Sequence, residues 1–250
     1  IKDRNSKNII FKNVTFTYQR TGIKVFDSFN LEIEEGKTLG IIGKVGSGKT
    51  TLLDLLSRVH DPEKGSILYN NKDIRSFKIN NLRGLFSYVP QNNFLFSDSI
   101  YKNIQFGNPD ATNEQVQKAA KLSEIDSEID KFEKGYRTIL GERGITLSGG
   151  QIQRISIARS LIKDSALYLF DDCFSSLDTD TEERLINNLK NRLKNKSVVI
   201  VSHRVSCIKH SDKIIVLENG KIIQQGTHKN LINMDGYYKE LYNKQNSEIT

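Results

Sequence analysis

The sequence predicts an α/β fold: a parallel sheet that carries a glycine-rich loop, an antiparallel β region at the N-terminal end, and an inserted helical lobe. Three observations predict it. Alternating apolar residues mark the segment up to Glu34. A short apolar run, Leu39 to Ile42, is followed by GKVGSGKT and an amphipathic stretch. Two later apolar runs, ALYLF and VVIV, stand apart from the first across a long helical section.

Taken in chain order, IIFKNVTFTY places Ile10, Val14, Phe16 and Tyr18 on one parity, and FNLEIE alternates Phe29, Leu31 and Ile33 with polar residues, as half-buried antiparallel strands do. Leu39 to Ile42 is a buried strand. After the glycine-rich turn, Leu52, Leu55, Leu56 and Val59 fall on one helical face. The section from about Asn92 to Lys163 is helical. Within it TNEQVQKAAKLSEIDSEIDKF opens on a Thr112 cap, and GGQIQRISIARSLIK carries a stripe of Ile152, Ile155, Arg159 and Ile162. Ala166 to Phe170 and Val198 to Val201 have the continuous apolar character of strands covered on both faces. IIVLENGKIIQQG is a hairpin turning at Asn219 and Gly220, and a last helix starts from the Thr227 cap.

With 250 residues, 37% hydrophobic and 27% charged, the chain suits one large globular domain or two small lobes. No apolar run approaches the roughly 18 to 20 residues of a membrane-spanning helix, and IKDRNSKN lacks the apolar core of a secretory signal. The net charge of +7 is compatible with nucleic acid, anionic lipid or a polyphosphate, and no basic segment chooses among them. The densest, NLKNRLKNK from Asn188 to Lys196, has the pattern of a solvated helix face and the turn after it. Cys173 and Cys207 show no metal-ligand or redox spacing and are expected as reduced core residues of a cytosolic protein.

The chemistry-bearing motif is Gly43, Lys44, Val45, Gly46, Ser47, Gly48, Lys49 and Thr50, followed by Thr51. Glycines at these spacings let successive backbone N–H groups face an anion. Lys49 is placed to reach the β and γ phosphates of a nucleotide, and the Thr50 hydroxyl to ligate Mg²⁺. ALYLFDD adds a strand ending in Asp171, a carboxylate suited to hold Mg²⁺ directly or through water. The phosphate loop alone leaves kinases, GTPases, motors and transport ATPases open, and the strand ending in Asp171 narrows that choice.

At LSGGQ, Leu147 to Gln151, the sequence resembles the ABC ATPase family, and the resemblance extends from Tyr18 to His203, nearly the whole chain. It implies the ABC ATPase fold over residues 1–250, with the helical subdomain at about 92–163. It also implies head-to-tail pairing with a second ABC ATPase domain, in which Ser148, Gly149, Gly150 and Gln151 of one domain close over the ATP on the phosphate loop of the other. By the same resemblance Tyr18 stacks on adenine, Gln91 touches Mg²⁺, and Ser176, Leu177 and Asp178 form the loop that crosses the dimer interface. His203 contacts the γ-phosphate. Phe94 to Ile104 and the GERG of Gly141 to Gly144 resemble segments of the exporter branch. The expected cofactors are ATP and Mg²⁺, and the expected further partner is a transmembrane domain of the same transporter, upstream of Ile1. The expected location is the cytoplasmic face of the cell membrane, with no nucleic acid partner.

The sequence departs from the family at Asp172, where the family carries a glutamate that acts on the attacking water. A side chain one methylene shorter reaches roughly 1 Å less far, and a misplacement of that size costs on the order of a hundredfold in rate. The resemblance then implies slow hydrolysis, or a degenerate site in a heterodimer whose other half carries glutamate; a homodimer remains open. The alternative is a soluble ABC-type ATPase of translation or DNA maintenance. Such proteins carry two ATPase domains or a long coiled coil, and this sequence has neither. A kinase or GTPase outside the family would leave LSGGQ unexplained.

Overall fold

A computed structural model of the protein describes residues 7–141 and 146–247. The chain forms two compact units, one running to Phe86 and resuming at Asn195, the other spanning Ser87–Lys194.

The first unit opens with β1 (Ile9–Tyr18) and β2 (Ile23–Ile33), joined as an antiparallel pair. β3 (Thr38–Ile42) leads through the glycine-rich loop into α1 (Lys49–Leu56); β4 (Lys64–Tyr69), β5 (Lys72–Asp73) and α2 (Ile79–Gly84) follow. One sheet has the order β2-β1-β4-β5 and is antiparallel throughout. The predicted parity of β1 holds only for its second half. Ile9 and Phe11 are buried on odd positions, Val14 and Phe16 on even ones. Asn13 takes a positive φ of 47°, and the register with β2 shifts between Phe11 and Val14. This is a β-bulge, which turns the later side chains to the other face, so Ile10 leaves the core side and Ile9 replaces it.

Helix α1 is shorter than its apolar pattern implies. Leu52, Leu53, Leu55 and Leu56 are fully buried, whereas Val59 lies beyond the helix and is 52% exposed. Arg58, at φ 52°, breaks the helix there, and its guanidinium is engaged by Asp61 and the carbonyl of Phe77.

The second unit takes in nearly all of β6 (Phe86–Val89), then α3 (Ile100–Gln105), α4 (Asn113–Leu122), α5 (Asp126–Ile129), α6 (Gly149–Leu161), β7 (Leu167–Asp171) and α7 (Thr179–Arg192). β6 and β7 are sheet neighbours, and β7 is buried along its whole length. Ile100, Ile104, Val116, Ala120, Ile125, Ile129, Ile155 and Ala158 build the core shared by α3, α4, α5 and α6. Thr112 and Gln115 form the expected capping box of α4. The run it opens is not one helix. Glu124 adopts φ 59° and is held there because its carbonyl accepts from Arg154 while its carboxylate binds Arg184 and Asn188. Helix α6 is buried on nearly every side from Gln153 to Leu161, rather than along the predicted single stripe; Ile152, Arg159 and Ile162 are only half-buried.

Back in the first unit, β8 (Ser197–Val201), α8 (Val205–Ile208), β9 (Lys213–Glu218) and β10 (Lys221–Gly226) precede α9 (His228–Leu231) and α10 (Tyr237–Ser247). β3 pairs in parallel with both β8 and β9, and β10 pairs antiparallel to β9, so this sheet is mixed rather than purely parallel. Positive φ at both Asn219 and Gly220 gives the hairpin turn read from the sequence. Thr227 caps α9, which ends after one turn; the last helix is the separate α10. Cys173 and Cys207 are free and buried. Leu189 and Leu193 face inward while Lys190, Lys194 and Asn195 are exposed, which makes the basic stretch the solvated face it resembles.

Asn103 is the polar anchor of the second unit. Its Oδ1 accepts from Phe96 N and Arg159 Nη2, each at 2.8 Å, and its Nδ2 donates to Phe96 O at 3.0 Å and Ser99 O at 3.1 Å. Truncation would strand several buried groups. Asn103→Ala is expected to cost about 3 kcal/mol and to lower Tm by roughly 10 °C in scanning calorimetry; a shift of about 1 °C would refute the anchoring role.

Candidate functional site: a phosphate loop and a capped SGG helix

The predicted site residues fall into two sets, one in each unit. In the first, β3 delivers the loop and α1 receives it. The loop turns under β9 because Gly43 has no side chain: a Cβ there would stand 2.0 Å from the carbonyl oxygen of Leu217. The hairpin turn closes from the other side, Gly220 N donating to Ser47 O at 3.1 Å.

Lys49, the first residue of α1, is buried, and its ammonium is folded back into the loop. It donates to Gly43 O and Lys44 O, both at 2.8 Å, with Ser47 Oγ at 3.5 Å. A positive charge thus stands at the N-terminus of α1, where the helix dipole adds to it, the combination on which the phosphate-loop expectation rests. Ser47 and Thr51 are buried, while Lys44, Gly46 and Thr50 are exposed and Val45 is 91% exposed at the tip.

Lys44 is tied to the hairpin side of the loop. Its Nζ lies 2.9 Å from Glu218 Oε1 and 5.8 Å from the centre of the Tyr237 ring. The hydrogen bond and charge of Glu218 raise the ammonium's pKa. Tyr18, at the end of β1, is half-buried; its hydroxyl lies 2.9 Å from Thr51 Oγ1, and its ring meets Phe16 and His60 edge-on at 5.0 and 5.5 Å. His203 is half-buried on the loop after β8.

The second set gathers around α6 and β7. Ser148 caps α6: its Oγ accepts from Gln151 N at 3.2 Å, and Gln151 Oε1 accepts from Ser148 N at 2.9 Å. Gln151 Nε2 donates to Glu128 Oε2 at 2.9 Å, and the other oxygen of Glu128 pairs with Arg154 Nη2 at 2.6 Å. The Gln151 side chain is therefore committed to fixing the turn. Ser148 and Gly149 themselves are exposed.

The loop after β7 is tied to the same helix. Gln153 accepts from Ser176 N at 3.1 Å and donates to Ser175 Oγ at 3.2 Å. A Cβ on Gly150 would stand 3.0 Å from the Ser176 carbonyl oxygen, so the second glycine of the motif packs closely against the loop after β7. Asp178 caps α7 by accepting from Thr181 N at 2.9 Å, which lowers its pKa.

Asp171, 2% exposed at the end of β7, accepts from the Tyr88 hydroxyl at 3.3 Å. Asp172 follows in the left-handed region at φ 46°, which aspartate tolerates better than most residues, and its carbonyl accepts from Ser175 Oγ at 3.1 Å. Gln91 is exposed after β6. Among the described residues no group of three His, Cys, Asp or Glu side chains forms a metal cage.

The exporter-like segment carries an exposed aromatic patch. Phe94 and Phe106 are 67% and 61% exposed, Phe96 lies between them with ring centres at 5.2 and 4.6 Å, and the Arg159 guanidinium covers Phe96 at 5.4 Å. Of the other exporter-like stretch only Gly141 is described; residues 142–144 lie outside the described residues. Sequence reasoning missed Glu128, Glu218 and Gln153, because they act through partners distant in sequence and belong to no local pattern.

The sequence model of the ABC transporter family matches residues 26–175. An ATP-dependent lipid A-core flippase of Idiomarina loihiensis is 39% identical over 246 residues, 98% of this chain and 42% of its own length. A probable multidrug resistance ABC transporter ATP-binding/permease protein of Bacillus subtilis is 38% identical over 238 residues, 95% of this chain and 41% of its own. Among solved structures, a bacterial Atm1-family ABC exporter with ATP bound superposes with a TM-score of 0.92 at 37% identity, covering 96% of this chain and 42% of that one. The chain spans about two fifths of the length of these relatives. No helix among the described residues is long and apolar enough to cross a membrane. On the family match and the fold together, the chain belongs to the ABC transporter family, as an ATPase domain of the exporter type.

Proposed function

We propose that this chain powers export across a membrane by binding Mg-ATP between two ATPase domains and hydrolysing it slowly at its own site. The observation that carries the reading is the Lys49 ammonium, held at the N-terminus of α1 by two carbonyls of the glycine-rich loop. Tyr18 offers its ring to adenine. Lys49 and the loop N–H groups of Gly43 to Thr51 hold the β and γ phosphates, while Thr50, Gln91 and Asp171 hold Mg²⁺, which when bound supplies charge neutralisation at the terminal phosphate. His203 holds the γ-phosphate oxygens, and Asp172 orients the attacking water. Ser148 and the N–H groups of Gly149 and Gly150 close over nucleotide on the partner domain, with Gln151 fixing that turn.

The similarity to exporters supports a transmembrane partner, and the Phe94, Phe96 and Phe106 patch provides apolar surface for it. The proposed location is the cytoplasmic side of a membrane. A soluble ATPase of translation or DNA maintenance is disfavoured by relatives that are flippases and multidrug transporters. Because Asp172 is the shorter acid while the SGG helix keeps its capping box, the proposed assembly pairs this domain with one bearing glutamate, as a heterodimer.

Hydrolysis tests the reading directly. Asp172→Glu is expected to raise steady-state ATPase by about 10- to 100-fold with ATP affinity unchanged; a wild type already as fast as the variant would remove the slow-site proposal. Lys49→Ala should abolish nucleotide binding in a fluorescent-nucleotide titration, and retained binding would contradict the loop's role. Glu128→Ala releases Gln151 and Arg154. It is expected to weaken ATP-dependent pairing of domains about tenfold, some 1.4 kcal/mol, without changing affinity for ATP on its own loop, as sedimentation velocity would show.

A further inference from the structure

The loop that carries His203 is fastened from a point far along the chain. Ser202 prolongs β8 by donating its N–H to Ile41 O at 3.1 Å, and its hydroxyl accepts from Arg204 N at 2.9 Å. Between these two bonds the carbonyl of His203 accepts from Nε2 of Gln245 at 2.7 Å. The other end of the same amide, Oε1, accepts from Val205 N at 2.8 Å. Val205 opens α8, whose N-cap residue, Arg204, supplies no side-chain cap. Gln245 therefore does what a capping residue would do for α8 and, with the same group, fixes the carbonyl of His203.

Gln245 can act this way because α10 is itself pinned. Tyr238 is fully buried, its N–H donates to Gln224 Oε1 at 3.1 Å, and its hydroxyl lies 2.8 Å from His228 Nδ1. Tyr242 meets the His228 ring edge-on at 5.3 Å. Tyr238 and Gln245 stand about two helical turns apart and so share a face. The anchor at one end of α10 thereby sets the position of the amide at the other.

We infer that Gln245 is a positioning residue for ATP hydrolysis: by bonding His203 O and Val205 N at once, it holds the imidazole of His203 against the γ-phosphate. This rests on the role given to His203 above. Only an amide serves. A carboxylate keeps the acceptor for Val205 but turns a second acceptor on the His203 carbonyl, and an apolar side chain of the same length keeps neither bond.

The test uses the full chain, with single-turnover hydrolysis of Mg-ATP, titration with a fluorescent ATP analogue, and amide hydrogen exchange. Gln245→Met is expected to slow hydrolysis about tenfold with ATP affinity held within about twofold, and to speed exchange at the Val205 amide. Gln245→Glu is expected to fall between Gln245→Met and wild type. Adding Gln245→Met to His203→Ala is expected to slow the reaction no further. A Gln245→Met chain that hydrolyses at the wild-type rate while His203→Ala is impaired would overturn the positioning role alone. So would losses that multiply in the double variant, or a loss of rate matched by an equal loss of affinity. A His203→Ala chain at the wild-type rate would overturn the histidine assignment and this inference with it.

Discussion

The arrangement around the phosphate loop depends on one buried charge. An ammonium drawn out of water is costly unless polar groups meet it, and Lys49 is met by carbonyls of the loop it belongs to. This fixes the loop's path. The chain must turn tightly enough for Gly43 and Lys44 to aim their carbonyls inward, which brings Gly43 against β9, where a side chain would collide with Leu217 O. It also ties the hairpin turn to the loop, since Gly220 bonds Ser47 and Glu218 pairs with Lys44. Strand, helix and hairpin are thus shaped around a cation whose natural complement is phosphate.

The second unit solves a different problem, that of presenting an exposed turn in one conformation. Ser148 and Gly149 face solvent, yet the turn is bonded reciprocally by Gln151, which is held by Glu128, which in turn is paired with Arg154. Gln153 extends the same helix's reach to Ser175 and Ser176. Side chains of α6 therefore hold two loops, both of which the family reading assigns to the domain interface. Rigidity prepared in the free chain lowers the ordering cost of closing on a partner.

Much of this was legible in the sequence because it is local. The spacing of glycines, Lys49 and Thr50 carries its own physics, Thr112 and Ser148 announce their helices, and the apolar runs Ala166 to Phe170 and Val198 to Val201 read as covered strands, which the structure places within one residue of those bounds. What was not legible depends on residues far apart. Glu124 breaks a helical run because Arg154, Arg184 and Asn188 hold it in a left-handed conformation. Val59 fits an apolar stripe but follows a helix already ended at Ser57 and Arg58. Helix α6 lacks a clean stripe because neighbours cover it on nearly every side. Gln245 lies in a polar C-terminal stretch with no motif, and only its two backbone bonds give it meaning.

The bulge at Asn13 has a consequence for how such a chain can vary. Upstream of it Ile9 and Phe11 fill the interior; downstream Phe16 and Tyr18 lie ring against ring on one side, with the Tyr18 hydroxyl reaching Thr51. Both halves of β1 are satisfied only because one extra residue sits between them. Deleting that residue would leave composition and hydropathy almost untouched, yet it would force either the two interior side chains or the tyrosine outward. The number of residues in this strand is thus under tighter constraint than their identities, and length variation here should be rarer than substitution.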